Sequence, residues 1–311
     1  MEKLLRPKHP KKFSTDSRIK QSKKNIHFKS ILMINDNFNI DESAVQAAAQ
    51  SLFNSPYTIA LVGAGISVES GIPTFRGPGG LWTKLGEPSG NGYEDFLKNP
   101  ESWWLQNLDQ QADPERTKFR EAIDKATPNK GHYALVDLEK MGELQHQITQ
   151  NVDDLHFKAG SKSVTEIHGN RTMLRCIGCE TRWHRSGFPT GEIVPSITGP
   201  SNNFPPMCPD CGSPVKSDTV MFGEPIPRGT LDSCFLQSSK ATCIIVIGTS
   251  ATVYPAASFP QDIQAAGGIL IEANPNETPL TGIADITLRG PTAITLPALV
   301  ETVNLIKAES R

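Results

Sequence analysis

Thr58-Ile-Ala-Leu-Val62 is a β-rich apolar run that ends at once in Gly63-Ala-Gly65. A buried strand feeding a glycine turn is the entry to a dinucleotide-binding fold. The first glycine permits the tight turn, and the second lets a pyrophosphate approach the backbone near a helix N-terminus. Such a turn also occurs for packing alone, so its neighbours must agree with it. Upstream, Asp41 or Ser43 can cap a helix in which Val45, Ala49, Leu52 and Phe53 recur at helical spacing. Downstream, Gln147-Ile-Thr149 is strand-like and residues 131–141 read as helix. Cys243-Ile-Ile-Val-Ile247 and Gly268-Ile-Leu-Ile271 are further buried-strand candidates. Strands alternating with helices predict an α/β fold, a Rossmann-like parallel sheet covered by helices on both faces.

Composition changes at about Arg171. From there to Lys216 the chain is rich in Pro, Gly, Ser and Cys and has no long amphipathic pattern. Such a stretch buries little core and needs a staple. Cys176-Ile-Gly-Cys179 and Cys208-Pro-Asp-Cys211 supply one. Four thiolates at this spacing can surround a tetrahedral Zn²⁺ at about 2.3 Å each, and they leave no open position, so the metal is expected to be structural. A redox CxxC is the competing reading, but two pairs in a glycine- and proline-rich segment fit it poorly. The interval between the pairs implies an excursion through Gly187 to Asn203. Cys234 and Cys243 stand apart, Cys243 as an inert core residue at the start of a strand. The expected organisation is therefore a basic, disordered arm over residues 1–40, a nucleotide-binding domain built from 41–170 and 218–311 with a helical insertion at about 82–130, and a small zinc ribbon over 171–217.

The 311 residues carry a net charge of −2, unevenly spread. Residues 1–30 hold ten Lys or Arg against Glu2 and Asp16, which leaves −10 for the remainder. The arm reads as a solvated tail or as a contact for nucleic acid or an acidic partner. A start at Met33 is an alternative to it. No apolar run approaches the roughly 18–20 residues that cross a bilayer, and no secretory h-region is visible. Paired cysteines without a secretion signal suit metal in a reducing cytoplasm.

The glycine turn continues as Ala64-Gly-Ile-Ser-Val-Glu-Ser-Gly-Ile-Pro-Thr-Phe-Arg76. That is no dehydrogenase fingerprint, because the third glycine falls elsewhere and no acidic residue follows the next strand at the expected distance. It closely resembles the sirtuin signature GAGxSxxSGIPxFR, with Gly80-Leu-Trp82 downstream. Thr149-Gln-Asn-Val-Asp-Asp-Leu-His156 resembles the family's TQNxDxLH. It follows a strand, at the sheet end where α/β folds bind ligands, which suits Gln150, Asn151 and Asp153 to a nicotinamide and its ribose. Glu166-Ile-His168-Gly169 resembles the catalytic His-Gly, and histidine suits a base because it titrates near neutrality. Val220-Met-Phe-Gly-Glu224 resembles VxFGE, which can bind an extended peptide by strand addition; a plain edge strand is the simpler alternative. Gly248-Thr249-Ser250 and Asn274-Pro275 resemble the GTS and xNP elements on the adenosine side. No G-x-S-x-G elbow surrounds Ser250.

The resemblance runs from Thr58 to about Thr292, roughly three quarters of the chain. It implies an NAD-dependent protein lysine deacylase with one structural Zn²⁺ on Cys176, Cys179, Cys208 and Cys211. In that family the substrate's acyl oxygen attacks the nicotinamide ribose and expels nicotinamide. The base, here His168, then activates a ribose hydroxyl, giving free lysine and an O-acyl-ADP-ribose. By resemblance, the catalytic residues are His168 and Asn151. The cofactor contacts are Gly63, Ala64, Gly65, Thr74, Phe75, Arg76, Gln150, Asn151, Asp153, Gly248, Thr249, Ser250, Asn274 and Thr292, with Phe75 shielding the reactive face. The contacts to an acyl-lysine protein or peptide are Val220, Phe222, Gly223 and Glu224. Thr74 replaces the aspartate of many sirtuins and occurs in the branch that favours acidic acyl groups, yet that branch's Tyr-x-x-Arg pair is absent. Acetyl or a longer neutral acyl group is therefore expected. Trp103 and Trp104 either line its pocket or pack in the core. An ADP-ribosyltransferase or NAD hydrolase on the same scaffold, a nucleic-acid-binding zinc module and a hydride-transferring dehydrogenase are the alternatives.

Overall fold

Five enclosed residues in a row, Thr58–Val62, need cover on both faces, which only the middle of a parallel sheet provides. The computed structural model describes residues 40–108, 113–189 and 204–310. In chain order, helix α1 (Glu42–Asn54) leads into β1 (Thr58–Val62), and a seven-residue 3-10 helix, Ala64–Ser70, follows the glycine turn. Four helices come next: α2 (Leu81–Leu85), α3 (Gly92–Lys98), α4 (Pro100–Leu108) and α5 (Pro114–Lys125). They are followed by α6 (Lys130–Met141), β2 (His146–Thr149), α7 (Leu155–Ala159) and β3 (Val164–Glu166). The cysteine-bearing stretch contributes β4 (Met173–Cys176), β5 (Arg182–His184) and β6 (Val215–Ser217). The chain returns through α8 (Arg228–Lys240), β7 (Cys243–Ile247), α9 (Ser258–Ala265), β8 (Ile269–Ala273), β9 (Ile286–Leu288) and α10 (Thr292–Glu309).

Six strands form one parallel sheet in the order β3-β2-β1-β7-β8-β9. Val62 pairs with Thr149 on one side and with Ile247 on the other, so the loops after β1, β2 and β7 begin level with one another. The strand order reverses between β1 and β7, which opens a crevice at their C-terminal ends. The parallel sheet expected from the sequence is present. The edge strands β3 and β9 went unread because Val-Thr-Glu and Ile-Thr-Leu are too short and too polar to show a period.

Local causes are visible at both faces. Asp41 caps α1 by accepting from Ser43 N at 2.9 Å and Ala44 N at 3.2 Å. The stripe Val45, Ala48, Ala49 and Leu52 then turns inward. α10 buries Thr292, Thr295, Leu296, Leu299, Thr302 and Val303, a helical period, against α1 and α6. On the opposite face Phe259 and Ile263 of α9 pack on Ile59, Leu61, Ile244 and Leu270. Among the described residues no helix is long and apolar enough to cross a membrane.

β5-β4-β6 make a separate antiparallel sheet whose small core joins Leu174, Cys176, Phe188, Cys208 and Val215 to Phe96 and Trp104 of the helical insertion. Trp104 is 2% exposed. Its indole donates to Val215 O at 2.9 Å, and Trp103 meets it edge to face at 5.5 Å. Of the two roles open to Trp104, core packing is the one the fold gives it. Trp104→Ala is expected to destabilise the small sheet by about 3–5 kcal/mol. Trp104→Phe should recover part of that, since it refills the space but leaves Val215 O without its donor. Urea unfolding followed by circular dichroism measures both, and a loss under about 1 kcal/mol for the alanine would contradict the packing. The basic arm and most of the excursion between the cysteine pairs lie outside the described residues.

Candidate active site

The loops at the crevice are stitched to each other before any ligand is considered. Gly63 N donates to Ile247 O at 2.9 Å and Gly65 N to Gly248 O at 2.7 Å. Gln150 N donates to Val62 O at 2.8 Å, its Nε2 to Thr249 Oγ1 at 2.9 Å, and Asn274 Nδ2 to Thr249 O at 3.1 Å. A Cβ on Gly63 would stand 2.5 Å from Thr249 Cβ, and one on Gly65 would stand 2.6 Å from Gly248 Cα. These glycines therefore answer to the neighbouring turn, where sequence reasoning had the second leaving room for a phosphate. The N–H groups of Ala64, Thr249 and Ser250 meet no acceptor among the described residues. Backbone donors gathered at a switch point suit a pyrophosphate, so the residues present fit a dinucleotide. Ser250 is exposed, with Oγ 3.0 Å from Thr252 Oγ1, whereas Thr292 is buried with Oγ1 3.4 Å from Glu69 Oε2.

A buried trio lies beneath the glycine turn. Asp153 Oδ2 accepts from Ser67 Oγ at 2.7 Å and its Oδ1 from Leu155 N at 3.0 Å. Asn151 Nδ2 donates to Gly63 O and to Ser67 Oγ, both at 3.2 Å. Sequence reasoning missed Ser67 as a site residue, although it is the first of the two serines in the GAGxSxxSGIPxFR stretch. Both Asp153 oxygens are engaged within the protein, so in this structure it orders the loop.

His132 and His156 meet behind the trio with ring centroids 5.2 Å apart. Among the described residues, neither His132 Nε2 nor either ring nitrogen of His156 has a partner. Burial pushes the imidazolium of His132 down to about 3 and that of His156 down to about 4. Above pH 6.5 both are neutral whether the chain is folded or not. Below it the unfolded chain takes up protons that the folded chain refuses, so stability is lost as pH falls from 6.5 toward 4. By pH 5 the loss should reach about 2 kcal/mol per histidine. Urea midpoints at pH 7 and pH 5, compared with a His132→Phe/His156→Phe variant, test this. The same pH slope in that variant would refute it.

His168 follows β3, where Gly169 at φ +76° lets the backbone pass Asp218; a Cβ there would fall 2.1 Å from Asp218 O. His168 Nδ1 lies 3.1 Å from Gln150 O. A carbonyl only accepts, so Nδ1 carries the hydrogen and Nε2 the lone pair. Burial holds the His168 pKa below the usual histidine range, opposed by the bond to Gln150. The ring is half-buried, neutral and fixed in one tautomer. Nearby, burial raises Glu166 to about 7 against the pull of Asn170 and Arg182.

Thr74 Oγ1 donates to Arg76 O at 2.7 Å. Arg76 pairs with Glu87 at 2.8 and 3.0 Å and lies over the Trp82 ring at 4.6 Å. Phe75 contacts Trp82 at 4.8 Å and Phe119 at 5.2 Å, and Trp82 meets Phe222 at 5.3 Å. One aromatic wall thus runs from the Phe75 loop to the Phe222 loop.

Val220–Glu224 is not a strand, which removes the plain edge-strand alternative. Val220 N donates to His168 O at 2.9 Å, and Gly223 at φ +79° turns the chain so that Glu224 N returns to Met221 O at 3.0 Å. A turn this tight breaks any ladder. Phe222 is 37% exposed, but Glu224 is enclosed, its carboxylate paired with Arg175 and Lys216.

The four cysteines come together as their spacing predicts. Their sulfurs all lie within 4.8 Å of one another, with Cys176–Cys211 at 3.4 Å and Cys179–Cys208 at 3.7 Å. Tetrahedral zinc with 2.3 Å bonds separates its sulfurs by about 3.8 Å, so the donor set fits one such ion. Bonds from Ser213 bring Cys211 down to about 6, whereas burial pushes Cys176 up to about 12, so the charge of a bound metal would be needed to hold all four as thiolates.

Comparison with known proteins agrees with this geometry. The model of the Sir2 family matches residues 63–255. An NAD-dependent protein deacylase of Pyrococcus abyssi is 43% identical over 256 residues, 82% of this chain and 96% of its own length. A Sir2 homolog–NAD complex superposes with a TM-score of 0.65 at 39% identity, covering 86% of this chain and 95% of that one. Sir2Af2 bound to a myristoylated histone peptide does so with a TM-score of 0.60 at 31% identity, covering 86% of this chain and 100% of that one.

Proposed function

The chain belongs to the Sir2 family and is an NAD-dependent protein deacylase, and from that premise we propose that His168 is its general base and that the Val220–Gly223 loop receives the acyl-lysine peptide. The observation that carries the first part is the Nδ1 contact to Gln150 O, which leaves the Nε2 lone pair as the proton acceptor. When bound, NAD supplies an electrophilic ribose carbon and nicotinamide as the leaving group. The N–H groups of Ala64, Thr249 and Ser250 hold its pyrophosphate, Asn151 and Gln150 orient the nicotinamide end, and Phe75 excludes water. His168 Nε2 takes the proton of a ribose hydroxyl, and the half-buried ring keeps that lone pair from being quenched by bulk protons.

Support for the second part lies in the loop's unused backbone. Val220 C=O and Phe222 N–H, which flank Met221, bond no other described residue. Such groups can pair with an extended chain without a preformed strand. The wall of Phe75, Trp82, Phe119 and Phe222 supports a neutral acyl group, because Arg76, the cation stacked on it, is neutralised by Glu87. Incubation with NAD and lysine peptides bearing acetyl, longer neutral or succinyl groups tests the reading. Nicotinamide and O-acyl-ADP-ribose should appear with the neutral groups, at rates about tenfold or more above succinyl. Nicotinamide release that ignores the peptide would instead favour NAD hydrolysis or ADP-ribosyl transfer.

A further inference from the structure

Glu224 closes the proposed peptide loop, yet its side chain is only 2% exposed. Its Oε1 accepts from Arg175 Nη2 at 2.6 Å. Its Oε2 accepts from Met221 N at 2.8 Å and lies 2.9 Å from Lys216 Nζ. Arg175 and Lys216 face each other in the β4–β6 ladder, and Arg175 immediately precedes the zinc ligand Cys176. Arg175 Nε also reaches Asp218 Oδ1 at 3.1 Å, and Asp218 Oδ2 accepts from Asn170 N at 2.9 Å, just after His168 and Gly169. Lys216, wholly enclosed, donates further to Ser217 O and Thr219 O at 2.8 Å each.

Charges are buried at this density only where each has its partners. The network fills the place where the small sheet, the loop and the catalytic histidine's backbone converge. The loop has no ladder of its own to shape it. Val220 N on His168 O, Tyr93 N on Phe222 O, Phe222 against Trp82 and Met221 against the core of the small sheet hold its edges, and the turn itself is closed by Glu224 on Met221. Removing the carboxylate would free Met221 N and leave two buried cations facing each other. The loops after β1, β7 and β8 share no bond with Glu224.

We propose that Glu224 is a positioning residue rather than a substrate contact: held by Arg175 and Lys216, it lets the four-cysteine module set the shape of Val220–Gly223, so that metal occupancy is read as affinity for the acyl-lysine peptide. This rests on the reading of that loop as the peptide's docking edge. The test uses the full zinc-loaded chain with Glu224→Gln, Glu224→Ala and, as the loop control, Phe222→Ala. Peptide KM, NAD KM, kcat and bound zinc are measured, together with anisotropy of a fluorescent acetyl-lysine peptide on loaded and zinc-stripped protein. Both Glu224 variants should raise peptide KM about tenfold or more, with NAD KM and kcat at saturating peptide within about threefold and zinc retained. Stripped protein should lose peptide anisotropy while still binding NAD by calorimetry. Wild-type peptide KM in the Glu224 variants, or joint loss of NAD and peptide binding even in the milder Glu224→Gln, would overturn the proposal. A normal peptide KM in Phe222→Ala would instead sink the docking reading on which it rests.

Discussion

His168→Ala is expected to lower kcat by about 10²–10⁴-fold, the usual contribution of a positioned general base. Nothing in the fold depends on the ring. Among the described residues its one bond is to Gln150 O, a carbonyl that the backbone already holds through Gln150 N on Val62 O. The variant should therefore melt like the parent, keep its NAD affinity and keep its peptide KM within a few-fold. The acid limb of kcat/KM in the parent should lie below the ordinary histidine range, because burial outweighs the bond to Gln150. Proton uptake at Nε2 quenches the base, so activity falls as pH drops through that pKa and is full above it. Steady-state kinetics from pH 5 to 9 measure both the drop and the limb. Undiminished turnover in His168→Ala would remove the base, and a limb above pH 7 would deny that the ring is desolvated.

What the sequence revealed depended on how locally each feature was encoded. β1 and β7 were legible to the residue, because runs of five enclosed side chains, all apolar but Thr58, fit the middle of a parallel sheet. The cysteine cluster was equally legible, since its chemistry lies in four residues and two spacings. Contacts made at long range were not. Asp218 carries no motif, yet it joins Arg175, Arg182 and Asn170 from three different places in the chain. Trp104 sits in a helix whose own composition gives no sign that its partner is Val215, and that contact ties the helical insertion to the cysteine module. Glu224 was grouped with the substrate contacts by its position in a motif. Its carboxylate is enclosed by two cations, Arg175 and Lys216, that lie at least eight residues upstream. Motif letters identify which residues matter, but only tertiary pairing decides whether a side chain faces the ligand or the scaffold behind it.

Stripping the metal, or replacing Cys208 by alanine, is expected to undo β4, β5 and β6 while the six-stranded sheet survives. The small sheet has three strands of three or four residues, and two of the cysteines, Cys176 and Cys208, are themselves members of its core. So little apolar surface cannot offset the chain entropy of ordering the module, whereas structural zinc contributes about 10–16 kcal/mol of apparent binding free energy at pH 7. The large sheet has an independent core around Ile59, Ile148, Ile244 and Phe259, which contains none of the four ligands. Loss should thus be partial: Trp104 and Trp183 emission shifts to the red as their packing dissolves, far-UV ellipticity falls by a minor share, and NAD binding persists. Peptide binding should vanish at the same chelator concentration as the fluorescence shift, because Arg175 and Lys216 leave with their strands. Zinc released into a colorimetric chelator should plateau at about one equivalent per chain, as a closed four-thiolate site requires. A chelated protein whose tryptophan emission and proteolytic pattern match the loaded form would show that the ribbon stands without its metal. Loss of NAD binding in step with the metal would show instead that the two sheets fold as one cooperative unit.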